Sequence, residues 1–502
     1  MSEPPLTETQ RQDKEKSGVS QNGGKDATDQ KAGSRSGSIK SQKSNRSGLL
    51  GDVPPPADGF NDNPAADLRN MRKIIAEDPE WSLATVPLLV DLVLQHIIEN
   101  CENNSVIIND LLPKHKTKVL EKISTNIPLK VTANLIDDED YWQRCCKANW
   151  ETCDVSVYGD SWKRMFFEKN LERIIEHFVP ESTDPTELNE TLQLSANYIK
   201  RLDIRQLLPP VKEAPKGPHD DDLSDGADSD TSDGPEIDHF DFGPVLPKLS
   251  FIQEFHVTYG VRDCGMNFEW NLFQFTARDC LLLAKCIASL KHLKLFHLHR
   301  SKVDDDKVRV LISHILDHPG LVEVDLSHNL ISDRGARAIG KFLNNHSQLT
   351  KLNVCDNHIR AAGAQAIAHA LTKNTTLTKL DLRLNRLGDE GGQAICRALL
   401  KNSILTEINL GSNDLTEPTA AILSQVVIQN STLRIIDLSC NRLGPDGGKQ
   451  LQEGMEENEF ITNMDLRLTE CGKEAEYCIN QILDINREKE RQNNLNALNS
   501  PK

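Results

Sequence analysis

Seven segments of this chain share one spacing. They read "LKLFHLHRSKV", "LVEVDLSHNLI", "LTKLNVCDNHI", "LTKLDLRLNRL", "LTEINLGSNDL", "LRIIDLSCNRL" and "ITNMDLRLTEC", and begin at residues 293, 321, 349, 377, 405, 433 and 461. The step is 28 residues, with no insertion across 196. A unit this short cannot bury its apolar face alone, so neighbours must stack and share a continuous core. Alternation at positions 3 to 7 predicts a short strand. Positions 4 and 6, such as Leu380 and Leu382, point inward, while 3, 5 and 7 point to the other face. Asn329, Asn357, Asn385, Asn413 and Asn441 recur at position 9. There a buried amide can satisfy backbone groups left unpaired where the strand bends. Ser301 and Thr469 replace that Asn in the first and last units, as capping repeats would.

The pattern L-x-x-L-x-L-x-x-N-x-L followed by a helix is the leucine-rich repeat of the long, ribonuclease-inhibitor-like type. It predicts an α/β solenoid of strand–helix units closing into a horseshoe. A degenerate copy, "IQEFHVTYGV", starts at Ile252 and carries a 13-residue excess around "GMNFEWNLFQF". Each helix opens on a small residue at position 15 (Gly335, Gly363, Gly391, Thr419, Gly447), with Ile339, Ile367, Ile395, Leu423 and Leu451 at position 19. These glycines belong where helix and strand layers approach closely. They also explain "GARAIGKF" (335–342), which misses the phosphate-loop pattern G-x-x-x-x-G-K-[ST] only at Phe342. Gly335 is a repeat glycine, Gly340 has no counterpart in other units, and the stretch falls where the period demands a helix. No nucleotide site is expected, and Lys341 should be exposed.

The 502 residues exceed one ordinary core, and with 38% apolar and 26% charged residues part of the chain should be unfolded. Residues 1–66, poor in aromatics, read as a disordered tail, in which 31–50 carry five basic residues and no acid. Residues 67–210 read as a helical domain containing Trp81, Trp142, Trp150 and Trp162. There "VPLLVDLVLQHII" (86–98) fits a buried helix and is too short to span a bilayer. In "DSWKRMFFEKNLERIIEHFVP" (160–180), Trp162, Met165, Phe166, Leu171, Ile174, Ile175 and Phe178 make one apolar stripe with charged residues between. Asp160 or Ser161 can cap its start and Pro180 marks its end. Residues 211–245, with 11 acids and 2 bases, read as a disordered linker between separable domains; 246–490 are the repeats and 491–502 a tail. Ser224, Ser229 and Ser232 amid those acids resemble substrates of acid-directed kinases.

Several chemistries are disfavoured. A net charge of −17 argues against nucleic acid as a ligand, and no N-terminal apolar run suggests a signal peptide. Twelve cysteines show no C-x-x-C, and Cys145, Cys146 and Cys153 lack a nearby histidine, so reduced cytosolic thiols are expected and no metal site. The glycosylation-like triplets at Asn345, Asn374 and Asn430 then carry no meaning. Aligned on Gly226, the acidic segment puts Leu223 and Ser232 where a calcium loop needs acids or amides. No catalytic set, cofactor or small-molecule substrate emerges. What remains is the concave face, an extended protein-binding surface. Its position-5 column reads His297, Asp325, Asn353, Asp381, Asn409, Asp437 and Asp465. Glu323, Glu407, Lys351, Lys379, Arg383 and Arg467 flank it, so a partner with complementary charge is expected.

Some strings go beyond any repeat consensus: "MRKIIAEDPEWSLATVPLL" (71–89), "VTANLIDDEDYWQRCC" (131–146), "SWKRMFFE" (161–168), "DCGMNFEWNLF" (263–273) and "RSKVDDDK" (300–307). They resemble the T-complex-associated testis-expressed family, subunits of the nexin–dynein regulatory complex, over roughly residues 70–490. The resemblance implies a non-catalytic scaffold subunit in the axonemal cytoskeleton of motile cilia and sperm flagella. It would sit in the link between outer doublets and help regulate dynein-driven sliding. Its partners would be other subunits of that complex, and doublet microtubules or dynein arms are further candidates. A second class is a repeat protein that activates a small GTPase, for which Arg386 and Arg442 could be proposed as arginine fingers. An immune-type receptor would need a nucleotide-binding module before the repeats, and a ribonuclease inhibitor would be nearly all repeat.

Overall fold

The 28-residue step of the sequence is also the step of the sheet. Glu323 pairs with Lys351, Lys351 with Lys379 and Lys379 with Glu407, always in parallel. Parallel neighbours need a crossover, and within the 28-residue repeats each crossover is a helix, giving a sheet on one side and a row of helices on the other. The computed structural model describes residues 88–209, 238–262, 264, 266, 270–343 and 348–499. The sheet has nine strands in sequential order: β1 (Arg201–Ile204), β2 (Glu254–Val257), β3 (Leu295–Leu298), β4 (Glu323–Asp325), β5 (Lys351–Asn353), β6 (Lys379–Asp381), β7 (Glu407–Asn409), β8 (Ile435–Asp437) and β9 (Asn463–Asp465). Before it come α1 (Leu89–Glu99), α2 (Ile107–Asp110), α3 (Pro113–Lys122), α4 (Leu129–Thr132), α5 (Glu139–Asn149), α6 (Trp162–Glu176) and α7 (Thr186–Ser195). The crossover helices are α8 (Ala277–Ser289), α9 (Asp305–Ile315), α10 (Asp333–Phe342), α11 (Ala361–Leu371), α12 (Gly388–Leu399), α13 (Glu417–Gln429) and α14 (Gly444–Glu456). The last helix, α15, runs Lys473–Asn499.

The core follows the predicted positions. Position 4 (Val324, Leu352, Leu380, Ile408, Ile436) and position 6 (Leu326, Val354, Leu382, Leu410, Leu438) are buried in every central unit, as are position-19 residues from Ile339 to Leu451. Position 15 needs a small side chain for a more specific reason than layer contact. A Cβ on Gly335 would lie 2.7 Å from Asp305 Oδ1 and 2.8 Å from Val308 Cγ1, both on the preceding helix α9. Helix-to-helix spacing between neighbouring repeats therefore sets the constraint.

The domain boundaries differ from those read in sequence. Strand β1 lies inside the stretch assigned to the helical domain, yet it pairs with β2 over four residues as a full member of the repeat sheet. Ile199, Leu202 and Ile204 are fully buried, at the spacing of positions 1, 4 and 6. This strand unit escaped notice because 53 residues separate Ile199 from Ile252, which breaks the 28-residue step. The acidic linker was also drawn too long. Residues 238–245 are packed: Asp279 of α8 accepts from the backbone N–H of His239 at Oδ1 and from its ring Nδ1 at Oδ2, and Phe240, Phe242 and Val245 are buried. A chain of ring contacts runs Phe178–Phe240–Phe242–Phe255, from the end of α6 into β2. The helices and the repeats thus form one structural unit, Val86–Lys502, and not two separable domains. At the other end, the tail expected from 491 is helical through Asn499.

Helix α6 holds the join. Ser161 caps it, accepting from Arg164 N, and the helix ends at Glu176. In the sequence its glutamates fall only between the apolar positions, yet Glu168 and Glu172 are buried. Their carboxylates face β1. Glu168 accepts from Lys200 N and Arg201 N, Glu172 from Asp203 N, and Glu176 from Arg205 N, at 2.7–3.0 Å. Backbone N–H groups on the free side of an edge strand invite pairing with another chain. A ladder of carboxylates one helical turn apart occupies them here. Helix α1 departs from expectation in the other direction: Leu94 is its one buried residue, while Leu88 and Leu89 are 73% and 76% exposed. Its second apolar face has no cover among the described residues. Of the tryptophans, Trp142 is buried, Trp150 and Trp162 are half-buried, and Trp81 lies outside the described residues.

Candidate functional site

Position 5 of each strand places one polar side chain on the concave face, and local backbone chemistry explains why it is Asp or Asn. In every unit from β4 to β9, Oδ1 of the position-5 residue accepts the N–H two residues on. Ser327, Cys355, Arg383, Gly411, Ser439 and Arg467 donate to Asp325, Asn353, Asp381, Asn409, Asp437 and Asp465 at 2.8–3.0 Å. Asp and Asn share that acceptor, so they interchange freely. The second side-chain atom then decides the electrostatics. Asn353 Nδ2 donates to Asp325 Oδ2 at 2.8 Å, and Asn409 Nδ2 to Asp381 Oδ2 at 3.4 Å. The Asp–Asn alternation therefore neutralises itself across strands.

The flanking columns are paired too. Lys351 Nζ lies 2.9 Å from Glu323, Lys379 Nζ 2.6 Å from Glu407, and Arg467 Nη2 2.5 Å from Asp465. The Arg467 hydrogen bond holds the Asp465 carboxyl below its ordinary range, whereas burial pushes that of Asp381 up. Asp437 stands apart. Its Oδ1 is used by Ser439 N, and its Oδ2 has no hydrogen bond or ion pair among the described residues. Arg383, on the strand face two units away, is exposed. Glu323, Lys351, Lys379, Glu407, Asp437 and Asp465 line an open groove that spans β4 to β9.

The same face continues through β3, where His297 begins the position-5 column, to His256 on β2, which was not singled out in the sequence. His256 and His297 meet edge to face, ring centroids 4.1 Å apart, and His299 follows one strand position on. Burial, then the neighbouring His297, pushes His256 down to about 3; burial also lowers His299. The periodic His at position 5 of the degenerate unit was the available signal for His256.

Three further ladders are structural. Each position-9 amide donates to carbonyls of its own turn and of the previous unit. Asn385 Nδ2 reaches Val354 O and Leu382 O at 3.0 Å, and its Oδ1 accepts from Ile359 N. Asn329, Asn357 and Asn441 repeat the pattern, and Asn413 repeats its donor half, its buried Oδ1 having no hydrogen bond among the described residues. A second row sits on the far side of the solenoid. Asn374, Asn402, Asn430 and Asn458 are buried and each donates to a carbonyl 31 residues earlier. Asn374 and Asn430 had looked like glycosylation signals; their amides are enclosed by the fold. Third, Asp305 and Asp333 cap the helix of the following unit, accepting from Gly335 N and Gly363 N, and Asp389 accepts from Thr416 N. The residues of "GARAIGKF" lie within α10, whose amino end is already held by Asp305, and Lys341 is exposed. Arg386 and Arg442 are exposed loop residues two repeats apart. All twelve cysteines are free thiols. Among the described residues no group of three or more His, Cys, Asp or Glu could hold a metal ion, and no helix is long and apolar enough to cross a membrane.

Comparison with known proteins agrees with this architecture. The Leucine Rich repeat family model matches residues 320–340, 345–368, 373–396 and 429–451. Dynein regulatory complex subunit 5 of Homo sapiens is 52% identical over 285 residues, 57% of this chain and 56% of that protein. The Mus musculus protein of the same name is 51% identical over 272 residues, 54% of each chain. The Chlamydomonas reinhardtii protein is 31% identical over 198 residues, covering 39% of this chain and 43% of its own length. The chain thus spans about half the length of the curated relatives it matches. It is a leucine-rich repeat protein and a homologue of dynein regulatory complex subunit 5.

Proposed function

We propose that the chain is a non-catalytic scaffold subunit of the nexin–dynein regulatory complex, acting in the axoneme of motile cilia and sperm flagella. There it supports the link between outer doublets and the regulation of dynein-driven sliding. The observation that carries this reading is the 52% identity over 285 residues to dynein regulatory complex subunit 5. The geometry supports it: a long concave surface with a histidine pair at one end and self-paired charges along its length suits protein recognition. Its partners are other subunits of the complex, with doublet microtubules and dynein arms as further candidates. Within the groove, Asp437 is the carboxylate left for a partner's cation.

The test separates the two parts of this reading. Tagged parent chain and Asp437→Lys are expressed in motile ciliated cells lacking the homologous subunit, and the axonemes are extracted at rising salt. The parent should be retained and co-fractionate with the regulatory complex. Asp437→Lys should leave at lower salt; it also loses the Oδ1 acceptor of Ser439 N–H, so its stability should fall by about 1 kcal/mol, too little to unfold the chain. A parent chain absent from axonemes defeats the assignment. A parent retained no better than Asp437→Lys defeats only the concave-face contact. Replacing Asp325 or Asp381 by Asn is a poorer probe, because each new amide would meet the Nδ2 donor of Asn353 or Asn409.

A further inference from the structure

The two edges of the nine-stranded sheet are treated differently. At β1 the outward N–H groups are occupied by Glu168, Glu172 and Glu176. At β9 the inward groups are settled by β8: Asn463 N donates to Arg434 O, and Asp465 O accepts from Leu438 N. In a parallel ladder alternate residues face opposite sides. Met464 N–H, Met464 C=O and Leu466 N–H therefore point away from β8, and no strand or side chain meets them among the described residues. The next outward group on the N-terminal side, Thr462 O, is taken by Arg487 Nε of α15, and Leu466 O is taken by the Thr469 hydroxyl. Three adjacent groups remain, the length of one strand in this sheet.

What covers them is not another repeat. In earlier units positions 16 and 20 meet the following unit: a Cβ on Gly392 would lie 2.6 Å from Leu415, and one on Gly340 3.1 Å from Ala366 O. In the last unit these positions are Glu476 and Asn480, with Asp484 one turn on, a polar face that ends the stack. A second copy of the chain, brought edge to edge about a two-fold axis, would set its own Glu476 and Asp484 against these acids. Asp484 is paired with Arg487 at 3.0 Å, and Glu476 has no ion pair among the described residues. Both the backbone pattern and the charge describe one kind of occupant.

We propose that the free edge of β9 receives an extended, basic segment of a partner protein as a tenth strand. Backbone hydrogen bonds to Met464 and Leu466 supply the contact, and lysine or arginine side chains of the segment face Glu476. Strand addition of this kind depends little on side-chain identity, so a generic probe can test it.

The probe is the fluorescein-labelled peptide Thr-Lys-Val-Lys-Val-Lys-Thr, added to the full-length chain and followed by anisotropy and by amide hydrogen exchange. Binding should slow exchange at Met464 and Leu466 at least tenfold. A control peptide with its internal amide nitrogens methylated keeps the charge and loses the donors; it should bind at least tenfold more weakly, as should a control with Glu for Lys. Leu466→Pro deletes one outward donor without touching the ladder to β8, and should weaken the probe at least tenfold; it also removes a buried side chain, so its melting temperature should fall and binding is compared well below that temperature. If that variant does not fold, the methylated control still decides. Equal binding of methylated and parent peptides, or saturation without protection at Met464 and Leu466, overturns the proposal. Concentration-dependent dimers that protect the same amides without probe overturn the choice of occupant.

Discussion

At the scale of single residues, the sequence was most legible where a side chain repeats and its partner repeats with it. Asn385 occupies a buried site that joins two units, and Asn385→Ala removes donors to two carbonyls and the acceptor for Ile359 N. The expected cost is about 1–3 kcal/mol, read as a lowered melting temperature of the full chain. An unchanged melting temperature would place the amide outside the hydrogen-bond network. The position-5 column was legible as a pattern and not as chemistry. Alternating Asp and Asn looked like a partner-facing stripe, yet each Oδ1 answers its own backbone and most second atoms answer a neighbour. Spacing shows that residues line up; it does not show which lone pair is already in use. Lys341 follows the same logic. Lys341→Ala should leave nucleotide binding at zero and stability within about 0.5 kcal/mol, because the side chain is exposed on α10. Equilibrium dialysis with ATP and GTP checks the first expectation.

At the scale of elements, helices and strands inside the regular step were predictable because one period fixes strand, turn and helix together. Elements outside it were not. Strand β1 was lost because the crossover from it does not keep the 28-residue step, and α6 was half-read because its burial has two faces. Its apolar stripe faces the helical core, while its glutamates face β1, a target invisible without the strand. That arrangement carries a pH signature. Burial pushes the Glu172 carboxyl up to about 8, and raises those of Glu168 and Glu176 as well. A carboxyl raised above its unfolded value of 4.5 holds an extra proton in the folded chain. The stability this gives is complete below the unfolded value and is lost as pH climbs through about 8. The parent should therefore melt lower at pH 8.5 than at pH 6. Glu172→Gln keeps an acceptor for Asp203 N and removes the titration, so its melting temperature should fall less across that window. A variant with the parent's full slope would assign the pH dependence to other groups.

At the scale of the whole molecule, composition and structure divide the chain in different places. The acidic stretch has every compositional mark of a linker, and from composition alone cutting it should free a helical domain from a repeat domain. The described residues on either side of it argue otherwise. Upstream, β1 is hydrogen-bonded to β2, and Leu207 N donates to Gly260 O at 3.0 Å. Downstream, Phe240 packs on Phe178, and His239 contacts both Asp279 and Tyr259. The two flanks thus converge on the end of β2, at Tyr259 and Gly260. The described residues on both sides of the acidic stretch therefore belong to one unit. A protease site placed within 210–237 and cleaved in the folded full-length chain should give two fragments that migrate together under native conditions. They should part only in denaturant, since separation requires stripping β1 from β2 and Phe178 from Phe240, and exposing side chains that are now buried, Leu202 and Phe255 among them. Fragments that separate on a native sizing column at micromolar concentration would restore the two-domain picture and remove the physical basis for reading α6 as the clasp of the sheet.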